Sequence, residues 1–177
     1  MRHAHGLTLI ELLATIAIVA ILSAIAVPSF SNLRHDNARA VEVNGFLHAI
    51  FFARSESIKR AQVVTLCKSR DGSSCASDAQ WHDGWIVFVN TDRDELPERD
   101  PDEELLLVRP GWRSGTITSN RAAYSFRPYR QGVVNGTVTF CDPRGSAHAR
   151  AIIISHTGRP RTSPRDASNR PLTCPGR

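Results

Sequence analysis

The sequence predicts an α+β fold in which one long N-terminal helix, membrane-spanning in its first half and amphipathic in its second, packs on antiparallel β-sheet. Three observations predict it. Between Leu7 and Val27 the only charge is Glu11. Beyond Pro28, apolar residues recur at three- and four-residue intervals as far as about Lys59. After Gln62 the period drops to two and β-branched residues take over.

The apolar stretch comes first. Leu7–Val27 is 21 residues of mostly Leu, Ile, Val and Ala, and as a helix it is about 30 Å long, roughly the hydrocarbon thickness of a bilayer. A carboxylate such as Glu11 is costly in lipid, so a partner that neutralises it is expected. A secretory signal is an alternative reading, since Arg2 supplies a basic start and Ala24-Ile25-Ala26 an A-x-A site. Neither a signal nor a plain anchor explains Glu11. A mature start at Leu7 or at Val27 separates these readings.

The helix is expected to bend at Pro28, because proline removes a hydrogen bond and crowds the preceding turn. Phe30, Leu33, Ala40, Val41, Leu47, Ile50, Phe51 and Ile58 form its expected buried face, with Arg34, Asp36, Arg39, Glu42 and Glu56 mostly between them. Gly45 suggests the close approach of another backbone. Strands are expected at 63–66, 85–89, 105–108, 116–118, 123–126, 138–140 and 150–154. Gly, Pro, Asn and Asp punctuate them, as at Gly132, Asn135-Gly136 and Asp142-Pro143. From Thr157 onward, Pro, Arg, Ser and Gly read as a loop. The expected organisation is a leader at 1–6, a membrane and assembly helix at 7–28, an amphipathic helix at 29–61 and a β-rich domain at 62–177.

The net charge of +5 hides an asymmetry. Residues 67–108 carry four basic and eleven acidic side chains, whereas 109–177 carry twelve arginines and only Asp142 and Asp166. The last third is therefore a candidate surface for a polyanion. Cys67, Cys75, Cys141 and Cys174 make an even count, which in an exported chain suggests two disulfides. Spacing does not rank the three pairings rigorously. Cys67–Cys75 would close a short polar loop and Cys141–Cys174 would tie the arginine-rich tail to a strand, so these two are favoured. Zinc is the weaker alternative, because no C-x-x-C pair occurs and the histidines are scattered.

Gly6, Thr8-Leu9-Ile10-Glu11-Leu12, the apolar helix and Pro28 together resemble the class III leader of type IV pilins and type II secretion pseudopilins. The resemblance implies a prepilin peptidase that cuts between Gly6 and Leu7 and methylates the new N-terminus at Leu7. It makes Glu11 the fifth mature residue, expected to pair with a neighbouring subunit's N-terminal amine during assembly. Leu7 departs from the family's usual Phe. Further on, Trp81-x-x-Gly84-Trp85-Ile86-Val87-Phe88, Cys141-Asp142-Pro143-Arg144-Gly145, Ala151-Ile152-Ile153-Ile154-Ser155 and Gly158-Arg159-Pro160-Arg161 are similar to the GspH/FimT family. That family implies a pilin-like domain of one helix and two β-sheets. It also implies a single pass in the bacterial inner membrane, a periplasmic globular domain, and later a place in a pilus or pseudopilus among other pilin subunits.

Three places are candidates for chemistry. In an extended segment Arg159 and Arg161 present their side chains on one side. With Arg165 and Arg170 they are placed to straddle successive phosphates, a task that suits the planar guanidinium fork. The FimT resemblance associates a G-R-x-R sequence with DNA binding in natural transformation, and Gly158–Arg161 fits it. The bland alternatives are a solvated basic loop or one that pairs with a neighbour's acidic loop. No ladder of aromatics accompanies the arginines, so sequence-specific stacking is not expected. Arg113, Arg121, Arg127 and Arg130 are possible extensions of the patch. The acidic run 92–104 has alternating carboxylates that resemble a calcium loop, but Leu96 and Pro97 break the pattern, and a solvated loop is the better reading. No catalytic motif occurs. His35, His48, His82, His148 and His156 lack ligand spacing, and Trp81, Trp85 and Trp112 read as core aromatics. The chain is therefore expected to be no enzyme and to need no cofactor or metal. The leading expectation is a minor pilin of the FimT type that binds DNA; the alternative is a structural GspH-like pseudopilin or tip-priming minor pilin.

Overall fold

Thr8 opens the first helix. The computed structural model describes residues 8–93, 98–128 and 135–175. The chain divides into two compact units, Met1–Asn37 and Ala38–Arg177. Helix α1 spans Leu9–Arg60 and is continuous through Pro28. Its N-terminal part is fully exposed and, among the described residues, is the one segment long and apolar enough to cross a membrane.

In the second unit, α1 is followed by eight strands: β1 (Val63–Lys68), β2 (Gly84–Asn90), β3 (Leu105–Pro110), β4 (Thr116–Ser119), β5 (Ala123–Phe126), β6 (Gly136–Cys141), β7 (Arg150–Ile154) and β8 (Pro160–Ser163). They form two four-stranded sheets, β3-β2-β1-β5 and β4-β6-β7-β8, with every pairing antiparallel. The seven expected strands are present, each within two residues of its expected ends. β8 is the strand that the tail's Pro, Arg and Ser concealed; it sits on the sheet edge, where proline is tolerated.

The helix packs on both sheets through a different face from the one expected. Arg39, Val43, Phe46, Ala49, Ile50, Ala53 and Ser57 are buried. Of the expected set only Ile50 belongs to this face, whereas Val41, Phe51 and Ile58 are 56%, 56% and 52% exposed. Phe30, Leu33 and Ala40 are also exposed, and Leu47 is half-buried. The true stripe steps by four and three residues from 39 to 57, but its ends are polar. Arg39 and Ser57 are buried because they are hydrogen-bonded: Arg39 to Asp142, and Ser57 to the carbonyls of Gln62 and Phe126. Apolar counting alone passes over a stripe that ends this way.

Phe46 is the hub of the core. Its ring lies 5.2–6.2 Å from those of Trp81, Trp85, Tyr124 and Phe140, so one helix residue touches both sheets. Gly45 faces a side chain and not a backbone: a Cβ there would sit 3.5 Å from the Arg109 guanidinium, which is held by Glu42. β2 is buried along its whole length. Val64, Leu66, Trp85 and Val87 join the helix core, while Cys67, Ile86 and Phe88 pack on the other side beneath Cys75. Burial on both faces explains why these strands read as near-continuous apolar runs.

Both favoured disulfides are formed. Cys67–Cys75 closes the loop after β1, and Cys141–Cys174 ties the tail to the end of β6.

Candidate nucleic-acid interface

The β7–β8 hairpin carries the arginine pair. Residues 155–159 turn the chain, and Gly158 adopts φ 75°, a conformation that side chains disfavour. The turn is closed by hydrogen bonds from the Ser155 N–H to the Arg159 carbonyl and from the Gly158 N–H to the Ser155 carbonyl. The Ser155 and Thr157 hydroxyls meet at 2.8 Å. Arg54, on the helix, donates to the Thr157 carbonyl at 3.0 Å and so fastens the turn from below. The sequence reading missed Arg54, because its link spans 103 residues.

Arg159 and Arg161 are exposed, and neither side chain has a hydrogen bond or ion pair among the described residues. Arg161 stands opposite Ile153, and Thr162 opposite Ile152. Ile152 belongs to the helix-facing core. By strand alternation Arg161 therefore lies on the other face of the sheet, away from the helix.

The tail gathers Arg165 and Arg170 into a second turn. Arg165 bridges to Pro171 and donates to the Asn169 carbonyl. Arg170 pairs with Asp166 at 2.9 Å. Asp166 also accepts the N–H groups of Ser168 and Arg170. The Arg170 backbone bond first, and then its guanidinium and the Ser168 N–H, hold the Asp166 carboxyl below the usual range against the desolvation that would raise it. Leu172 packs on Cys141, Ala149 and Ala151, and Cys174 donates its N–H to Ser146. The four arginines are therefore not equivalent: two are free, one is held by a carbonyl and one shares its charge with a carboxylate.

The other acid of the last third is also engaged. Asp142 is almost fully buried between Arg39 and Arg144, at 2.9 and 2.7 Å. Arg39 donates a further bond to the His148 carbonyl. Burial alone would raise the Asp142 carboxyl; the Arg144 side-chain and backbone bonds, with the attraction of Arg144 and Arg39, outweigh it and lower it. Of the remaining arginines, Arg113 and Arg127 are exposed, Arg121 is bonded to Asn135, and Arg130 lies outside the described residues.

Part of the acidic run, 94–97, also lies outside them. Within the rest, Glu103 is buried and accepts bonds from Thr91 and Asp100, and Glu104 pairs with Arg60. Glu103 is therefore structural, whereas Glu104 is an exposed carboxylate in a surface ion pair. No group of three or more His, Cys, Asp or Glu side chains is placed to hold a metal among the described residues. Trp81, Trp85 and Trp112 are buried. At the other end, Gly6 and Leu7 lie outside the described residues. Glu11 accepts bonds from the Thr8 N–H and hydroxyl, at 2.9 and 2.8 Å, while Thr8 accepts the Glu11 N–H at 3.4 Å. This is a capping box, a local role for Glu11 that Thr8-x-x-Glu11 spells in the sequence.

A family model described as Type II transport protein GspH matches residues 42–158, which is 117 of the 177 residues. The chain belongs to the GspH family. A second model, the prokaryotic N-terminal methylation motif, matches residues 1–27 of this GspH-family chain. Two crystal forms of the type IV minor pilin FimU from Pseudomonas aeruginosa (strain PAO1) are similar in structure. The first, in space group P21, has a TM-score of 0.55 and 19% identity, over 82% of this chain and 98% of that one. The second, in P65, has a TM-score of 0.49 and 18% identity, over 78% and 98%. The first match shows a shared pilin fold of one long helix on two antiparallel sheets. No curated protein matches the chain. The GspH match stops at Gly158, so Arg159, Arg161, Arg165 and Arg170 all lie beyond it.

Proposed function

We propose that this chain is a minor type IV pilin that grips the DNA backbone through Arg159 and Arg161, assisted by Arg165 and Arg170, during DNA uptake. The observation that carries the reading is the pair of exposed guanidiniums on one hairpin with no carboxylate partner. Free guanidiniums offer phosphate their whole charge and every N–H, whereas a paired one shares both with its acid. Binding of this kind is non-specific and falls with salt.

In this reading, prepilin peptidase cuts between Gly6 and Leu7 and methylates Leu7. Residues 7–28 hold the precursor in the inner membrane, with the globular domain in the periplasm. Glu11 exchanges its hold on Thr8 for the N-terminal amine of a neighbouring subunit as the filament assembles. The methylation-motif match at 1–27 supports the processing step. N-terminal sequencing of the mature protein should begin at Leu7; a start at Val27 would overturn it.

The DNA reading is tested on the full chain in detergent, by titrating labelled duplex DNA across a salt series. Arg159→Ala with Arg161→Ala should weaken binding and make the log–log salt slope shallower by roughly 2, at about 0.9 per lost phosphate contact. Unchanged affinity would remove the hairpin from the site.

A second reading draws on where the family match ends. For a GspH-like pseudopilin of type II secretion, or a tip-priming minor pilin, the support is the family match at 42–158, which leaves the arginine tail outside it. Its arginine tail would then meet a neighbouring subunit and not DNA. Deletion separates the two: lost transformation supports the first, lost protein secretion the second.

A further inference from the structure

The sheet face that bears Arg161 also holds a polar cleft. It has a volume of ≈ 490 Å³, and its lining includes Thr118, Asn120, Thr137, Thr139, Ser168 and Arg170. One wall is the threonine-bearing surface of β4 and β6, where Thr118 stands opposite Thr139. The other is the tail turn at 166–170, held in place by the Arg165–Pro171 bridge, Leu172 and the Cys141–Cys174 bond.

Most donors in this cleft are not engaged elsewhere, the Ser119 hydroxyl, which meets that of Tyr124 at 2.7 Å, being an exception. Among the described residues, the hydroxyls of Thr118, Thr137, Thr139 and Ser168 and the amide nitrogen of Asn120 have no hydrogen-bond partner. Arg170 binds Asp166 through Nε, which leaves its two terminal nitrogens available. Among the described residues Asp166 is the only carboxylate in the lining, and both its oxygens are already occupied by Ser168 and Arg170. The cleft therefore offers hydrogen-bond donors and no free carboxylate oxygen.

The cleft and the arginine hairpin share one face of the sheet. Thr137 stands opposite Ile153, and Ile153 opposite Arg161, in one row across β6, β7 and β8. Adjacent strands are about 4.8 Å apart, so this row is about 10 Å long. Phe140, the one aromatic residue in the strands of this sheet, faces the helix core and not the row. The row thus joins Thr137 to Arg161 across the buried Ile153 and carries no aromatic ring on which a base would stack.

We propose that the cleft is a second phosphodiester subsite, in which the threonine hydroxyls and Arg170 take the backbone of a DNA strand already held by Arg159 and Arg161. This rests on the DNA-binding reading above. It assigns a binding role to neutral residues of β4 and β6, and it makes the Asp166–Arg170 pair a positioning device that aims the arginine's free end.

The test again uses the full chain in detergent with labelled duplex DNA over a salt series. Thr118→Val with Thr139→Val should weaken binding roughly fivefold, about what the loss of one net hydrogen bond gives, and leave the salt slope unchanged, because hydroxyls release no counterions. Thr118→Ser with Thr139→Ser should retain most of the affinity. Arg170→Ala should weaken binding and make the slope shallower by about 0.9. If the valine pair binds as tightly as the parent while Arg159→Ala with Arg161→Ala loses affinity, the cleft is not a subsite and the hairpin reading stands. If the arginine pair has no effect, the reading beneath this one fails. A valine pair and a serine pair that are equally impaired would point to altered packing and overturn the role given to the hydroxyls.

Discussion

Two arginine clusters in this chain differ in what surrounds them. Around Asp142, two guanidiniums close on one nearly inaccessible carboxylate. On the β7–β8 hairpin, Arg159 and Arg161 face solvent without an acid. The first cluster joins the helix to the turn after β6 and does its work within the fold. The second does nothing for the fold that the structure reveals. An excess of twelve arginines over two acids in the last third does not by itself mark a surface for a polyanion. Once both acids are seen to be taken, the arginines left over are the ones that matter.

Stability measurements should separate the clusters. The largest loss is expected for Arg39→Ala combined with Arg144→Ala, which strands a buried charge at Asp142; about 3–5 kcal/mol is typical for breaking such a pair. Denaturant unfolding of the full chain in detergent would measure it. Phe46→Ala should lose about as much, since one ring fills the space among four others.

Disulfide loss comes next. Removing Cys141–Cys174, whose partners are 33 positions apart, should cost roughly 4 kcal/mol in the chain-entropy account, and Cys67–Cys75, 8 positions apart, roughly 2.5. Thermal unfolding of the two double-serine variants tests the order, and a reversed order would break this account.

Acid should also reach the buried cluster first. The folded-state carboxyl of Asp142 is lowered, so its contribution is complete above the ordinary Asp range near 3.9 and is lost as pH falls through the folded value. The parent should therefore lose stability below about pH 4 more steeply than Asp142→Asn, as read from unfolding midpoints across a pH series. The smallest effect is expected at the hairpin: Arg159→Ala with Arg161→Ala should leave the unfolding midpoint unchanged. A destabilised double variant would mean that these side chains serve the fold after all.

The β-strands were legible because their signal is local: alternation and β-branching mark each of the seven that were expected. The helix face was not. Arg39 and Ser57 are buried by hydrogen bonds to residues 103 and 69 positions away, which no window of sequence contains. Phe46, the residue on which the core turns, was lost for the same reason, since its stripe is recognisable only when those polar ends count as inside. β8 hid behind Pro160, a residue suited to an edge strand. The candidate site was half legible. Arg159 and Arg161 stand out by type and spacing, but their freedom from acids, the engagement of Arg170 by Asp166, and the threonine cleft all depend on the tail's path across the sheet.

The hairpin places its arginine by parity. Arg161 stands opposite Ile153 because residues 155–159 make a connection of fixed length between paired strands. A single added residue there, with the pairing shifted by one, would set Pro160 opposite Ile153 and turn Arg161 toward the core. The chain would keep the same arginines and the same net charge and yet lose its grip on a polyanion, whereas two added residues would restore it. Affinity that alternates with inserted length would be the signature of this dependence.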